Sequence, residues 1–282
     1  MLLKRKTSAE TLKLQEKYGV PYLVFPSLEN TGLVRHAFST RLGGCSTGDL
    51  ATMNLSSTRG DDPENVKENF RRFGAAVGFD PKDLVLSLQT HTTNVRLVTE
   101  EDRGKGFTRP RDYKDVDGLI TNVPGLVLAT FYADCVPLYF VDPVHRAIGL
   151  SHSGWRGTVN RMGEVTLQRM KEAFGTRPSD VWTAIGPSIC QDCYEVSEDV
   201  AQEFISAFEG WADNRLLYRK ENGKYQLNLW RANELVLLES GVPKDRIAVT
   251  DICTCCNPQV LFSHRASKGK RGNLGAFLQL LS

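Results

Sequence analysis

The chain has 282 residues, of which 41% are hydrophobic and 24% are charged, the composition of a globular protein. Lysine and arginine total 35 and aspartate and glutamate total 33, so the net charge of +2 gives no case for nucleic-acid or membrane binding. No apolar segment follows the basic N-terminus, and the most apolar stretch, residues 125–141, is too short and too interrupted to span a membrane. We therefore expect a cytoplasmic protein.

Strand-like and helix-like segments are mixed along the chain. In chain order the pattern predicts strands at residues 34–39, 84–89, 94–99, 117–121, 126–132, 138–141, 147–152, 181–186 and 246–251. It predicts helices at residues 63–77, 158–174, 197–208 and 230–238. The first helix has the clearest boundaries, because Asp62 can cap it, Pro63 suits its first turn and Gly78 follows its end.

This order indicates an α+β or mixed α/β fold with mixed β-sheets flanked by helices. With no internal repeat or linker in view, we expect one compact domain over residues 1–282. Residues 1–30 are expected to form an N-terminal extension that packs on it.

Five histidines, at positions 36, 91, 145, 152 and 264, leave few ways to build a metal site. His91, Cys135 and His152 each lie where a predicted strand ends, which is where binding residues tend to collect. Two imidazoles and a thiolate suit zinc, and three protein ligands leave a fourth position open, as in catalytic sites. Spacing alone does not bring these side chains together, so three unrelated residues remain the alternative.

The same residues fit a second chemistry. Cys135 as nucleophile and His152 as base, with Asp134 or another carboxylate to orient the histidine, would make a cysteine hydrolase or deamidase. A cysteine in an apolar run is more commonly a core residue, so a packing role stays open as well. Pro137, two residues further on, predicts a break or bulge in its strand.

Glycine turns with arginines suggest anion binding. The turn at residues 153–158 joins a strand to a helix start, where backbone amides and Arg156 suit phosphate or carboxylate. A purely structural turn is the alternative, and the Gly-Lys-Ser/Thr ending of a P-loop is absent. Arg41, beside Gly43, and Arg265, in a basic loop, are further candidates, although most loop arginines are merely solvated.

Seven cysteines, an odd number without a signal peptide, argue against a disulfide scaffold. The runs Cys190-Gln191-Asp192-Cys193 and Cys253-Thr254-Cys255-Cys256 allow a structural zinc site. The two runs are far apart, however, and the second departs from the usual zinc-ribbon spacing, so packing is the alternative.

Zincin and cytidine-deaminase signatures are absent, and five unpaired histidines are too few for a multicopper oxidase.

Several short motifs, taken together, resemble the YfiH/YlmD family, also labelled laccase-domain or multicopper polyphenol oxidase proteins. They are Phe38-Ser39-Thr40-Arg41-x-Gly43-Gly44, Met53-Asn54-Leu55, Gln89-x-His91, Asp115-x-Asp117-Gly118, Ala133-Asp134-Cys135-x-Pro137 and His152-x-Gly154-Trp155-Arg156-Gly157. The likeness runs in the same order to Phe262-Ser263-x-Arg265 and looks closest to the YlmD branch. Two departures are Ala266, where the family often has a second arginine, and His264, where tyrosine is common.

The resemblance implies a mixed α/β domain, related to the catalytic domains of cytotoxic necrotizing factors, that binds zinc through His91, Cys135 and His152. It implies phosphorolysis of adenosine, inosine, guanosine and methylthioadenosine, together with deamination of adenosine. The family also carries an older oxidase label, sometimes with copper, and a role in correcting peptidoglycan precursors. Its toxin relatives use a Cys–His pair.

We therefore expect a zinc-dependent purine nucleoside enzyme whose partners are small nucleosides and phosphate. Its expected catalytic residues are Cys135, His152 and Asp134, the last as a proton carrier. Its expected substrate or phosphate contacts are Arg41, Asn54, Arg156 and Arg265. A Cys–His amide hydrolase and a polyphenol oxidase are the alternatives, and the expected oligomeric state is a monomer or homodimer.

Overall fold

The computed structural model describes residues 3–210 and 214–282. The strands are β1 Lys13–Lys17, β2 Val20–Val24, β3 Val34–Ser39, β4 Leu84–Leu86, β5 Val95–Leu97, β6 Gly118–Thr121, β7 Val127–Tyr132, β8 Val136–Asp142, β9 Ala147–Ser153, β10 Trp182–Ile185, β11 Glu195–Val196, β12 Leu217–Arg219, β13 Tyr225–Leu227, β14 Ile247–Val249 and β15 Leu274–Leu280. The helices are α1 Pro26–Glu29, α2 Pro63–Val77, α3 Trp155–Val159, α4 Met162–Phe174, α5 Glu198–Ala207, α6 Leu229–Glu239 and α7 His264–Ser267.

The strands form two large mixed sheets and one small one. The first sheet has the order β1-β2-β3-β15-β7-β4 and is antiparallel except between β7 and β4. The second has the order β14-β10-β8-β9-β6-β5 and is parallel only at its two edges, β14–β10 and β6–β5. The third contains β11, β13 and β12.

The two large sheets pack face to face between helices. Leu128 of β7, Leu150 of β9 and Leu278 of β15 belong to one buried cluster, which is the core between the sheets. Residues of β7 alternate between the two faces, so Ala129 points to the opposite side and packs with Phe73 of α2. Helices α4, α5 and α6 cover the outer face of the second sheet. The structure confirms the predicted mixed α/β class.

Local signals set the boundaries of α2. The Asp62 carboxylate accepts the backbone N–H of Glu64 at 2.9 Å, and Pro63 occupies the first turn. The helix ends at Val77 because Gly78 adopts the left-handed conformation, with φ of 96°. These boundaries are confirmed, as are those of β3.

The helix predicted at residues 158–174 is wrong as a single element. It consists of α3 and α4, separated where Arg161 adopts a left-handed φ of 58°. The first of these helices begins three residues before the predicted start, at Trp155.

The break predicted near Pro137 lies just before it, where residues 133–135 form a bend with Asp134 in the left-handed region; β8 begins at Val136 and Pro137 is its second residue. The carbonyl of Pro137 accepts the N–H of Gly186, which lies just past the residues of β10 that pair with β8. A Cβ on Gly186 would lie 2.7 Å from the proline ring, so glycine here makes room for it.

Strands β1 and β2 come from the segment predicted as an N-terminal extension, and they form one edge of the first sheet. Residues 1–2 of that segment lie outside the described residues. Strand β15, which the sequence pattern does not predict, lies inside the same sheet between β3 and β7. In the part of the chain described here, no helix combines the length and the apolar character needed to cross a membrane.

Candidate active site

His91, Cys135 and His152, here called the trio, converge although they are distant in the sequence. Their ligand atoms all lie within 4.8 Å of one another, and the two imidazole centroids are 4.9 Å apart. Strand register explains part of this: Pro137 of β8 is the cross-strand partner of His152 of β9, which brings Cys135 beside that histidine. His91 arrives on the connection that follows β4.

The fully buried carboxylate of Asp117 holds two members of the trio in place. It accepts the His152 Nδ1 proton at 2.8 Å and the backbone N–H groups of Thr90, His91 and Thr92 at 3.0–3.1 Å. These contacts stabilise His91 in a left-handed conformation, with φ of 66°, that few non-glycine residues adopt. Because Nδ1 of His152 is occupied, its Nε2 is the ring nitrogen left for the trio.

The charges around the trio act on its two imidazoles in opposite directions. Burial alone would lower the pKa of His152, but the charge of Cys135 and the hydrogen bond to Asp117 raise it to about 9. Burial, followed by the charge of His152, lowers the pKa of His91, and Arg156 adds to that effect. Burial also opposes ionisation of Asp117, yet the hydrogen bond from His152 helps keep its pKa below the usual value.

The donor chemistry of the trio fits zinc. Two imidazole nitrogens and one thiolate are a borderline-soft set, and one ion can reach all three ligand atoms. The Asp117–His152 hydrogen bond is the arrangement by which proteins fix the tautomer and orientation of a metal-binding histidine. Three protein ligands leave a fourth position open for water or substrate.

Gly154, directly after β9, lets the backbone approach the trio closely. A Cβ at this position would lie 2.8 Å from Nδ1 of His91 and 3.2 Å from Sγ of Cys135. Its φ of −72° is accessible to any residue, so the requirement for glycine is one of space.

The trio opens into a cavity of about 450 Å3, within the range of small-molecule sites. One wall is aromatic, with Phe70 and Phe107 at a centroid distance of 5.0 Å and Phe131 beside them. The side-chain amide of Gln89 fixes Phe131, accepting its N–H at 2.7 Å and donating to its carbonyl at 2.8 Å. The cavity therefore offers a flat apolar surface next to the trio.

The cavity also carries positive charge from arginine side chains. Arg59, Arg111 and Arg271 line it. Burial and the nearby charge of Arg59 lower the pKa of Arg271 to about 10, and the buried Nε of Arg271 has no hydrogen-bond partner among the described residues. An anion between these guanidinium groups would relieve their repulsion. Neither Arg59 nor Arg271 was among the candidates from sequence, because nothing in their flanking residues signals a site.

The structure places the predicted anion contacts differently. Arg41 donates to the carbonyls of Ala51 and Pro258 at 2.8–2.9 Å, and Arg265 donates to that of Glu195 at 2.9 Å. Both guanidinium groups thus tie loops together, and neither residue lines the cavity.

The other two predicted contacts also have protein partners. Asn54 is fully buried and donates to Asp61 at 2.8 Å. Arg156 lies over the Trp155 ring, 4.3 Å from its centroid, and is near enough to His91 to affect its pKa. Among the four predicted contacts, Arg156 acts through its charge on a member of the trio.

Asp134, adjacent to Cys135, has both carboxylate oxygens occupied. One accepts the Thr254 hydroxyl at 2.6 Å and the other accepts the backbone N–H of Arg265 at 2.7 Å. Its φ of 89° is left-handed, and these two hydrogen bonds hold it there. The residue that contacts His152 is Asp117, a motif residue to which we assigned no role from sequence.

Four of the remaining cysteines, Cys190, Cys193, Cys253 and Cys256, also converge, with all sulfurs within 4.8 Å of one another. We call this group the tetrad. Cys253 and Cys256 themselves have C-x-x-C spacing, a signal missed by the comparison with zinc ribbons.

Comparison with known proteins gives a consistent result. Residues 35–281 match the family model described as multi-copper polyphenol oxidoreductase laccase. Purine nucleoside phosphorylase YlmD of Bacillus subtilis (strain 168) is 35% identical over 254 residues, covering 89% of this chain and 90% of the relative. The crystal structure of hypothetical protein YfiH of Bacillus licheniformis has a TM-score of 0.88 and 30% identity, covering 95% and 99% of the two chains. This chain belongs to the YfiH/YlmD family.

Another relative carries a different name: adenosine deaminase RL5, from an unknown prokaryotic organism, is 33% identical over 231 residues, covering 81% of this chain and 87% of the relative. The histidines of this YfiH/YlmD member do not support the copper chemistry in the family model's description. Outside the trio, His36 accepts the N–H of Phe25, His145 pairs with Asp142, and His264 begins α7. Within residues 3–210 and 214–282, which include all five histidines, the structure shows no second histidine cluster of the kind that a multicopper centre needs.

Proposed function

We propose that this chain is a zinc-dependent purine nucleoside phosphorylase whose reaction takes place where the trio meets the cavity. The observation that carries this proposal is the combination within one cavity of a three-ligand metal cluster, an aromatic wall and two mutually repelling arginines. The names of the related proteins support the nucleoside as substrate.

The residues of the cavity suggest how the two substrates bind. Phe107 and Phe131 offer ring faces for a purine, because aromatic stacking tolerates any base. Arg59 and Arg271 supply guanidinium groups that suit a phosphate dianion. Arg156, whose charge reaches His91, is a third candidate for contact with an anionic group.

Phosphorolysis forms a bond between a phosphate oxygen and the anomeric carbon of ribose and breaks the bond from that carbon to the purine nitrogen. The proton that hydrogen phosphate gives up goes to the released purine. When bound, zinc supplies Lewis-acid polarisation and activation of water, the latter suited to deamination of adenosine. His91, Cys135 and His152 would hold the ion, and Asp117 would orient His152. The occupied carboxylate of Asp134 suits a positioning role more than the proton transfer expected from sequence.

We propose adenosine, inosine, guanosine and methylthioadenosine as substrates for phosphorolysis and adenosine as the substrate for deamination. The test is to incubate zinc-quantified protein with adenosine, with and without phosphate, and to separate the products by chromatography. We expect adenine and ribose 1-phosphate only when phosphate is present, and inosine in both cases. If neither adenine nor ribose 1-phosphate forms with phosphate present, the phosphorylase proposal fails; absence of inosine without phosphate contradicts the proposed deamination.

A second candidate is supported by one geometric observation. Cys135, His152 and Asp117 stand in the order nucleophile, base and orienting carboxylate, with the histidine–aspartate bond at 2.8 Å. This arrangement would suit a metal-free amide hydrolase, for example one acting on a peptidoglycan precursor. Amide hydrolysis that persists in a strong chelator, with no nucleoside turnover, would favour it over the phosphorylase.

A further inference from the structure

The tetrad is formed by two loops that leave neighbouring strands on the same side. Strands β10 and β14 are parallel neighbours, so their carboxyl ends point the same way. Cys190 and Cys193 follow the first strand and Cys253 and Cys256 follow the second, and the two loops are joined by a parallel bridge between Ser188 and Cys253. Residues more than 60 positions apart in the chain therefore meet through the sheet topology.

The separations between the sulfurs match a single tetrahedral ion. A zinc–sulfur bond of about 2.3 Å gives a tetrahedron with edges of about 3.8 Å. The Cys193–Cys256 and Cys190–Cys256 sulfur separations are 3.5 and 4.0 Å, on either side of that value. A disulfide, by contrast, needs about 2.05 Å between its sulfurs.

We propose that Cys190, Cys193, Cys253 and Cys256 bind a structural zinc ion, a second metal site distinct from the trio. Four thiolates close the coordination sphere, which is the pattern of a structural site and leaves no position for substrate.

The surroundings of the tetrad suit thiolates. The backbone N–H groups of Cys190 and Cys256 point at the sulfur of Cys253 at 3.2 and 3.4 Å, as expected for donors to a negatively charged ligand. Lys6 pairs with Asp192, inside the Cys190–Cys193 turn, at 2.7 Å, which places its ammonium group near the cluster. Zinc bound by four thiolates carries a net negative charge, which the two backbone N–H donors stabilise.

The tetrad loops also hold the residue next to Cys135. Thr254, between two tetrad cysteines, donates its hydroxyl to the Asp134 carboxylate, and Ile189 donates its N–H to the Asp134 carbonyl at 3.0 Å. The backbone N–H of Arg265 donates a further hydrogen bond to the Asp134 carboxylate. A metal that fixes both loops therefore also fixes the left-handed Asp134 and, through it, the position of the Cys135 sulfur.

The test counts metals in folded protein purified with reductant and without chelator, using His91→Ala to remove the trio site. We expect one zinc per chain in His91→Ala and none in the double variant His91→Ala/Cys256→Ser. The matched control is His91→Ala/Cys255→Ser, which alters the neighbouring cysteine outside the tetrad and should keep its zinc. Absence of zinc from His91→Ala, iron in its place, or zinc that persists after Cys256→Ser would overturn the proposal.

A second measurement does not depend on whether a tetrad variant folds. X-ray absorption at the zinc edge of His91→Ala should show four sulfur neighbours at about 2.3 Å and no nitrogen. Thiol titration of the denatured, metal-free wild-type chain should give all seven cysteines as free thiols. Mixed nitrogen–sulfur ligation, or a titre of five from a disulfide, would contradict the proposal. Neither result bears on nucleoside turnover, so this test and that of the proposed function fail separately.

Discussion

The trio and the tetrad bring similar side chains together in different surroundings. The trio combines one exposed and one buried histidine with a half-buried cysteine, and it faces a cavity lined by arginines and aromatic rings. The tetrad has four sulfurs that face one another, with backbone N–H groups around them. An incomplete ligand set beside a cavity can do chemistry, whereas a complete set can only hold loops together.

Asp134 connects the two regions. Its side chain is bound by Thr254 of a tetrad loop, and its backbone leads directly into Cys135 of the trio. If the trio is catalytic and the tetrad is structural, substitutions in the trio should abolish turnover and leave the fold intact.

The largest effect is expected from His91→Ala. Loss of a ligand removes several kcal/mol of transition-state stabilisation, so turnover should fall by about 1000-fold or more. Because His91 is exposed and lies in a connection outside the sheets, the melting temperature should change little. Activity assays and calorimetry on the same preparation check both expectations. A large drop in melting temperature would show that the trio is also structural.

A smaller loss is expected from Gly154→Ala. The added methyl group would lie 2.8 Å from His91 and must displace it, and a shift of about 1 Å in a catalytic group can cost about 100-fold in rate. Zinc in the tetrad should be retained while zinc in the trio falls.

Gly157→Ala is the matched control, because its nearest neighbour would be at 3.5 Å and helix α3 accepts alanine. Zinc content and turnover are measured for Gly154→Ala and Gly157→Ala. Equal zinc content and equal turnover in the two variants would contradict the role given to Gly154.

Asp117→Asn should reduce zinc affinity or turnover by about 10- to 100-fold, the usual effect of removing the partner of a metal-binding histidine. Asp115→Asn is the control: this nearby residue accepts the Thr90 hydroxyl at 2.9 Å, a contact that an amide oxygen can keep. Competition with a zinc indicator gives both affinities. An equal loss of zinc affinity in Asp117→Asn and Asp115→Asn would contradict the role given to Asp117.

The smallest effect is expected at the anion contacts. Arg271→Met should raise the KM for phosphate by at least about tenfold, since a charged hydrogen bond contributes about 1.5–3 kcal/mol. The KM for the nucleoside should stay nearly constant. Steady-state kinetics with varied phosphate will compare Arg271→Met with Arg156→Met. If Arg156→Met raises the KM for phosphate more than Arg271→Met does, phosphate binds at Arg156 and not in the cavity.

Elements with local signals could be predicted from the sequence. Helix α2 is correct at both ends because its cap, its proline and its terminal glycine each act within a few residues. The division between α3 and α4 depends on one left-handed arginine, Arg161, whose conformation has no local signature. Strand β15 depends on pairing with β3 and β7, which are distant in the chain.

The sites show the same limit. The trio was recognised through flanking motifs, whereas its assembly depends on the register of β8 with β9. The tetrad required the parallel pairing of β10 with β14, which spacing cannot supply. Arg59 and Arg271 matter because they share a cavity, and only tertiary structure shows which loop arginines do so.

The most direct test of the account compares wild type with His91→Ala at equal folded concentration and equal zinc in the tetrad. The measurement is the phosphate-dependent formation of ribose 1-phosphate from inosine. We predict that the wild type forms it and that the variant forms less by about 1000-fold. Equal rates in the two proteins would contradict a catalytic role for the trio.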